Sequence, residues 1–329
     1  MAKRKQRRDE FQDISSYSSK QAYKKNQKKK KRTGLKVFLS FICVILVLVG
    51  GVMIYASTVL LGDLKTTTIT KDKTELGISE ETKSEAGITN IALFGVDARD
   101  YDGGTFAGRS DAIMVMSIDN VHHKVKLTSI MRDVRVYMGD GSPYDSGYDK
   151  LNHAYMYGGP EQAIRTINQN FGLDIQDYVT VNFASMAKIV DAFGGVNIDL
   201  TEDEVSEINK NMYALAAESP DSMAGDVSTY APLSAGEGVL LNGDEAVAYG
   251  RIRAIDNDNG RVERQQEVLS ALLSKASSIS KLEYPSIIQQ LAPLCETSLT
   301  FDKMIGLAQI ALTGFDIERL SIPSDVEGY

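Results

Sequence analysis

NIALFGVD, residues 90–97, is an apolar run that closes on a glycine and an aspartate, and it reads as a buried strand. Two more strands follow it: DAIMVMSID (111–119) and KVKLTSIMRDVRVYM (124–138), the second of them bent. Beyond these the chain alternates. PEQAIRTINQNFG (160–172) is helical, with Pro160 suited to a first turn. YVTVNF (178–183) is a strand, ASMAKIVDAFGG (184–195) a helix stopped by glycine, and GVNIDL (195–200) a strand. Residues 203–218 read as helix, 219–238 as a loop, and NGDEAVAYGRIR (242–253) starts as a helix. RVERQQEVLSALLSKAS (261–277) is a strongly amphipathic helix. Helices at 284–294 and 302–313 and a strand at ERLSIP (318–323) complete the pattern. The alternation predicts a layered α/β domain over 90–329. The chain stops at SIPSDVEGY, soon after that strand, so truncation at Tyr329 is an open expectation.

On the other side of this domain the composition changes sharply. Residues 62–89 are polar and rich in Thr and Glu, and they read as an extracytoplasmic linker or stalk. Before them, Val37 to Leu61 is 25 residues without a charged side chain. At about 1.5 Å per residue that reaches roughly 37 Å, enough to cross a hydrocarbon core of about 30 Å. A cleavable signal peptide would have an apolar stretch of only about 7–15 residues. Residues 1–36 carry 14 Lys and Arg against 3 acids, whereas the rest of the chain has 22 against 41. The basic side of a span stays in the cytoplasm. The expected layout is a disordered cytoplasmic tail (1–36), a transmembrane helix (37–61) in the cell membrane, and an extracytoplasmic domain, with the tail also meeting lipid headgroups. Nucleic-acid binding by Lys24 to Arg32 is the weaker account, because topology already explains the charge. Cys43 lies in the span and Cys295 beyond it, so no disulfide framework is expected.

The acidic region holds ten arginines, and four of them, Arg251, Arg253, Arg261 and Arg264, fall in RIRAIDNDNGRVERQ (251–265). Arg251 and Arg253 are two apart, so extended backbone points both the same way. Arg261, Arg264 and Gln265 share a helix face. Convergent guanidiniums need an anion among them, and their forks match phosphate oxygens. The other account is a surface network with Asp256, Asp258 and Glu263. Further Arg and Asp residues stand at element ends: Asp97, Arg109, Asp111, Arg132 and Asp133, with Lys150 opening KLNHAY. Carboxylates beside a diphosphate are what Mg²⁺ takes, although strand-end capping explains Asp97 and Asp111 equally well. The tandem His122 and His123 read as a polar turn. No P-loop, nucleophile elbow, H-E-x-x-H or paired C-x-x-C signature occurs.

The ordered set NIALFGVDAR, GRSDAIMVMSID, LTSIMRDVRV, KLNHAYMYGG, VNFASMAKIVDAFGGVNIDL and LNGDEAVAYGRIR followed by RVERQQ resembles the catalytic domain of the LytR-CpsA-Psr family over about residues 90–323. The resemblance implies an α/β/α fold with a central mixed sheet, preceded by one transmembrane helix. It implies a phosphotransferase that moves an anionic glycopolymer, a wall teichoic acid or capsular polysaccharide, from a polyprenyl-pyrophosphate carrier to peptidoglycan. Arg109, Arg132, Arg251, Arg253, Arg261 and Arg264 match the family's pyrophosphate-binding arginines, with Lys150 and Gln265 at its polar positions. Asp97 and Asp111 match its magnesium-linked aspartates. Asp111, Arg132, Arg251 and Arg253 are the expected catalytic set, with Asp111 or a metal-bound hydroxide as the candidate base. Met131 departs from the family, which usually has proline there. A hydrolase releasing the polymer to water, a membrane-anchored envelope-sensing regulator and a non-catalytic polysaccharide anchor are the competing readings.

Overall fold

The computed structural model describes residues 65–323, except 83, 97–105, 107, 219–231, 257, 279–289, 301–302, 305 and 308–315. The tail at 1–36, the span at 37–61 and Asp97 lie outside the described residues. So does most of the two helices expected at 284–294 and 302–313. Among the described residues, no helix is long and apolar enough to cross a membrane.

The strand at Ile88–Val96 is central. It pairs antiparallel with Ser110–Asp119 on one side and parallel with Asp177–Asn182 on the other. Numbered along the chain, the strands are β1 (Lys65–Thr66), β2 (Ile88–Val96), β3 (Ser110–Asp119), β4 (Lys124–Ile130), β5 (Arg135–Tyr137), β6 (Tyr148–Lys150), β7 (Asp177–Asn182), β8 (Val196–Leu200), β9 (Gly236–Leu241), β10 (Glu296–Thr297) and β11 (Asp316–Ile322). Among the described residues a seven-stranded mixed sheet runs β1-β10-β7-β2-β3-β4-β11, and β5-β6 and β8-β9 form two-stranded ribbons. The helices are α1 (Leu151–Phe171), α2 (Phe183–Ala192), α3 (Glu202–Glu218), α4 (Gly243–Gly250) and α5 (Asp258–Ser278).

One face of the sheet is packed solid. Ala92, Phe94 and Val96 of β2 and Tyr178 of β7 meet Leu151, Tyr155, Ile164 and Ile167 of α1 in one buried cluster. The Phe94 and Tyr155 rings meet edge-on at 5.2 Å, and the Tyr155 hydroxyl lies 3.1 Å from Thr180 Oγ1. The opposite face carries Ile91, Leu127 and Leu299, with Leu269 and Leu273 of α5 packed against them. A third cluster joins α2, α3, α4 and α5 to the β8-β9 ribbon.

Several elements differ from the sequence expectation. The bent third strand is two strands, β4 and β5, and the bend holds Arg132 and Asp133. The linker expected at 62–89 is part of the fold over its described stretch. β1 pairs with β10, and Ile69, Leu76 and Ile78 are buried in the α1 core. Three apolar anchors suffice because polar neighbours secure them: Lys71 reaches Asp177 at 2.8 Å, and Asn168 Nδ2 donates to the Leu76 carbonyl at 2.9 Å. α1 begins at Leu151, nine residues before Pro160, and breaks its helical backbone at Gly158 and Gly159. β9 begins at Gly236, inside the loop that the sequence predicts over 219–238, because it pairs with β8.

Candidate functional site

Two polar cavities meet at the bend after β4, and a third, apolar cavity adjoins the second. The first, about 440 Å³, is lined by Arg109, Asp111, Arg132, Asp133, Lys150, Asn152 and His153, among others. The second, about 290 Å³, is lined by Asp111, Arg132, Phe183, Asn211, Gly250, Arg251, Arg253, Arg261 and Gln265. Asp111 and Arg132 belong to both, and Arg132 Nη1 lies 2.9 Å from Asp111 Oδ1. This ion pair is the shared wall. The third, about 250 Å³, is apolar. The sheet face at Leu93, Val179 and Val181 forms one side, and Met186 of α2, Val247 of α4 and Leu272 of α5 the other. It shares Phe183, Gly250 and Gln265 with the second cavity.

Local structure explains how the arginines meet. Asn242 caps α4 in a reciprocal pair with Glu245. α4 lies so close to α2 that a Cβ at Gly243 would stand 2.1 Å from the Ala187 carbonyl oxygen. That contact holds the start of α4 against α2, and Arg251 emerges at the C-cap of α4 with its guanidinium 5.1 Å from the centre of the Phe183 ring. Arg251 and Arg253 line the same cavity while Ile252 between them is fully buried, as their spacing predicts, although Arg251 has helical backbone at the C-cap and not the extended backbone expected. Arg261 and Gln265, one helical turn apart, line the same cavity, and Gln265 Nε2 donates to the Gly250 carbonyl at 3.3 Å.

Arg264 does not join them. It forms a two-pronged pair with Asp256, at 3.0 and 2.7 Å, and donates from Nε to Glu204 at 3.0 Å. Burial disfavours its charge, but the Asp256 and Glu204 carboxylates outweigh that and raise its pKa. For Arg264 the ion-pair account is correct, with Glu204 as a partner sixty positions away. Asp256 itself lies over Gly260, where a Cβ would come within 2.1 Å of its carboxylate.

Arg109 and Lys150 stand in the first cavity, apart from the Arg251 group. Lys150 Nζ holds Asp133 at 2.7 Å, and this bond, followed by the charges of Lys150 and Arg132, keeps the Asp133 carboxyl below its ordinary range despite partial burial. The Met131 N–H donates to the Ile322 carbonyl at 3.0 Å, a bond that proline could not make. His122 is bonded to Asp119 at 2.6 Å in an exposed turn. Among the described residues no group of three or more His, Cys, Asp or Glu is placed to hold a metal. Asp111 puts one carboxylate between the two polar cavities. One or two carboxylates completed by substrate phosphates is the usual magnesium set, so the donor present fits.

Asn152 and His153, which line the first cavity, are not among the residues that the sequence singles out. For His153 a signal was present: it stands four residues after Asp149 and four before Tyr157, a spacing that brings the three side chains together once the helix starts at Leu151.

The chain is 30% identical over 245 residues to the polyisoprenyl-teichoic acid–peptidoglycan teichoic acid transferase TagU of Enterococcus faecalis, covering 72% of each chain. It is 27% identical over 313 residues to TagT of Bacillus subtilis, which carries the same transferase name, covering 91% of each. A solved structure of TagT bound to LIIa-WTA superposes with a TM-score of 0.58 at 25% identity, over 78% of this chain and 86% of that one. The family model for LytR_cpsA_psr matches residues 52–328, and the protein belongs to the LytR-CpsA-Psr family.

Proposed function

We propose that the protein is a transferase that moves a glycopolymer from a polyprenyl-pyrophosphate carrier to peptidoglycan through a phosphodiester. One observation carries this reading. A polar cavity walled by Arg251, Arg253 and Arg261 shares Phe183, Gly250 and Gln265 with an apolar cavity behind the sheet. A ligand with a doubly charged diphosphate joined to an isoprenoid chain has these two halves in this order. The transferase names of TagU and TagT, and the LIIa-WTA bound to TagT, support it.

The chemistry follows from placement. Arg251, Arg253 and Arg261 neutralise the diphosphate, each charge-assisted hydrogen bond contributing about 1.5–3 kcal/mol. They stabilise the negative charge that gathers on the departing lipid phosphate. Arg132, anchored by Asp111, stands between this site and the first cavity, where Arg109 and Lys150 face the incoming acceptor. Asp111, with Asp97, would hold Mg²⁺, which supplies further charge neutralisation when bound. The polymer is a wall teichoic acid or a capsular polysaccharide. The protein sits in a bacterial cell membrane by the span at 37–61, with its tail in the cytoplasm and the domain outside.

The test is transfer of a labelled lipid-linked glycopolymer onto peptidoglycan fragments by the full-length protein in detergent or vesicles, with Mg²⁺. Arg251→Ala is expected to lower the rate at least about 100-fold while the protein stays folded by circular dichroism. Release of polymer to water at the same rate with and without acceptor would identify a hydrolase and sink the transferase reading.

A further inference from the structure

We propose that His153 is the base that takes the proton of the acceptor hydroxyl, held in its working tautomer by Asp149 and Tyr157. This rests on the transferase reading above and adds the missing proton acceptor to it.

The end of β6 and the first two turns of α1 build the arrangement. Asp149 Oδ2 lies 2.8 Å from His153 Nδ1 and accepts from the Tyr157 hydroxyl at 2.6 Å. Its other oxygen accepts from the Lys150 N–H at 2.7 Å. Burial pushes the Asp149 carboxyl up, but the Tyr157 and His153 hydrogen bonds outweigh it and hold the group below its ordinary range. An ionised carboxylate only accepts hydrogen bonds, so the proton of a neutral His153 sits on Nδ1 and the lone pair on Nε2. The Tyr157 ring, edge-on at 5.8 Å, steadies the imidazole. Nε2 makes no hydrogen bond among the described residues.

His153 also stands in the right place. It lines the first cavity together with Asp111 and Arg132, the wall shared with the arginine cavity. The Asn152 N–H donates to the Arg132 carbonyl at 3.0 Å, which ties this turn of α1 to the arginine at the divide. Asn152 lines the same cavity, is 5% exposed, and its Oδ1 has no hydrogen-bond partner among the described residues. Buried polar atoms are nearly always paired, and a hydroxyl or amide N–H of a bound sugar supplies the donor. The lipid occupies the apolar cavity and its diphosphate the arginine cavity, so a nucleophile entering through the first cavity approaches phosphorus from the side opposite the leaving group. In-line displacement requires that order.

The step balances. The acceptor hydroxyl oxygen forms a bond to the phosphorus that carries the polymer, and its proton passes to His153 Nε2. The bond from that phosphorus to the bridging oxygen of the diphosphate breaks, and the electron pair leaves with the polyprenyl phosphate. The imidazolium then returns its proton to solvent. Asp149 and Tyr157 are positioning residues.

The experiment uses the full-length protein with a labelled lipid-linked polymer and a peptidoglycan-fragment acceptor, and measures in parallel the binding of polyprenyl diphosphate alone. His153→Gln, which can keep a hydrogen bond to Asp149, is expected to lower kcat by about 100-fold or more with diphosphate binding unchanged. Imidazole added to His153→Ala is expected to restore part of the rate. Tyr157→Phe is expected to lower kcat less and leave the acceptor KM unchanged. Full transfer by His153→Gln, an equal loss of diphosphate binding, or no rescue by imidazole would each overturn the inference. The transferase reading is judged separately, by transfer in the wild type and its loss in Arg251→Ala.

Discussion

The two faces of the sheet are built from the same kind of strand and end differently. On the α1 side, Tyr178 and Ile164 are fully buried against each other's neighbours. On the α2–α4–α5 side, Leu93, Val179 and Val181 are only partly buried, because they wall the apolar cavity. β7 makes the point within six residues: polar Thr180 is completely buried while Val179 and Val181 keep some exposure. Alternation tells which side chains share a face. It does not tell whether the face is filled by protein or kept open for a ligand.

The largest expected effect separates the faces by stability. Ile164→Ala deletes a fully buried side chain from the solid face and should lower the unfolding free energy by about 2–5 kcal/mol. Val181→Ala on the open face should lower it by about 1 kcal/mol or less, because little neighbouring protein is lost. Urea denaturation of both variants checks this, and equal losses would mean that the open face is ordinary core. A smaller effect runs the other way. Ala112 lines the apolar cavity, so Ala112→Leu should weaken binding of a polyprenyl diphosphate about tenfold, about 1.4 kcal/mol, with little change in the urea midpoint. Titration with the lipid in detergent reads it. Unchanged affinity with a clear loss of stability would contradict an isoprenoid in that space.

The solid face was also the more readable in sequence. β2, β3, β7 and β8 announce themselves by apolar content, and the glycine after α2 marks its end. The pairing of Arg251 with Arg253 followed from a spacing of two and needed only buried Ile252 between them. Where the sequence misled, a distant partner decides. Arg264 looks like a neighbour of Arg261 and Gln265, but a step of three residues turns it back along the helix and a step of four turns Gln265 forward, and Glu204 lies on the first of those sides. The stretch at 65–89 looked like a linker because its few apolar residues are spaced too widely to show a period. The start of α1 was hidden by Gly158, Gly159 and Pro160, which do break the backbone but between two pieces of one helix. The open face is legible only in part: the apolar stretch VNFASMAKIVDAF allows a lipid tunnel as well as core packing, and Val179 and Val181 would look the same in either.

The contrast between holding the fold and holding a ligand recurs within α5, where Arg261 faces the polar cavity and Arg264 is sealed among carboxylates. Glu204 gives the smallest and most specific test. Burial pushes its carboxyl up, but hydrogen bonds from the Thr201 backbone and hydroxyl, followed by Arg264, outweigh this and hold it below the ordinary glutamate range. A carboxyl lowered on folding adds stability that is fully present above its unfolded pKa and is lost as pH falls through the lower folded value. Glu204→Gln keeps an acceptor for the Thr201 N–H and removes the charge. It should cost about 1 kcal/mol near neutral pH, with the gap to wild type closing as pH falls below the ordinary glutamate range. Diphosphate binding should be unaffected, since Arg264 faces away from the cavity. Urea unfolding across that pH range checks the first part and lipid titration the second. A constant stability gap would mean that Glu204 acts by packing alone, and a loss of diphosphate binding would move Arg264 back among the ligand-binding arginines.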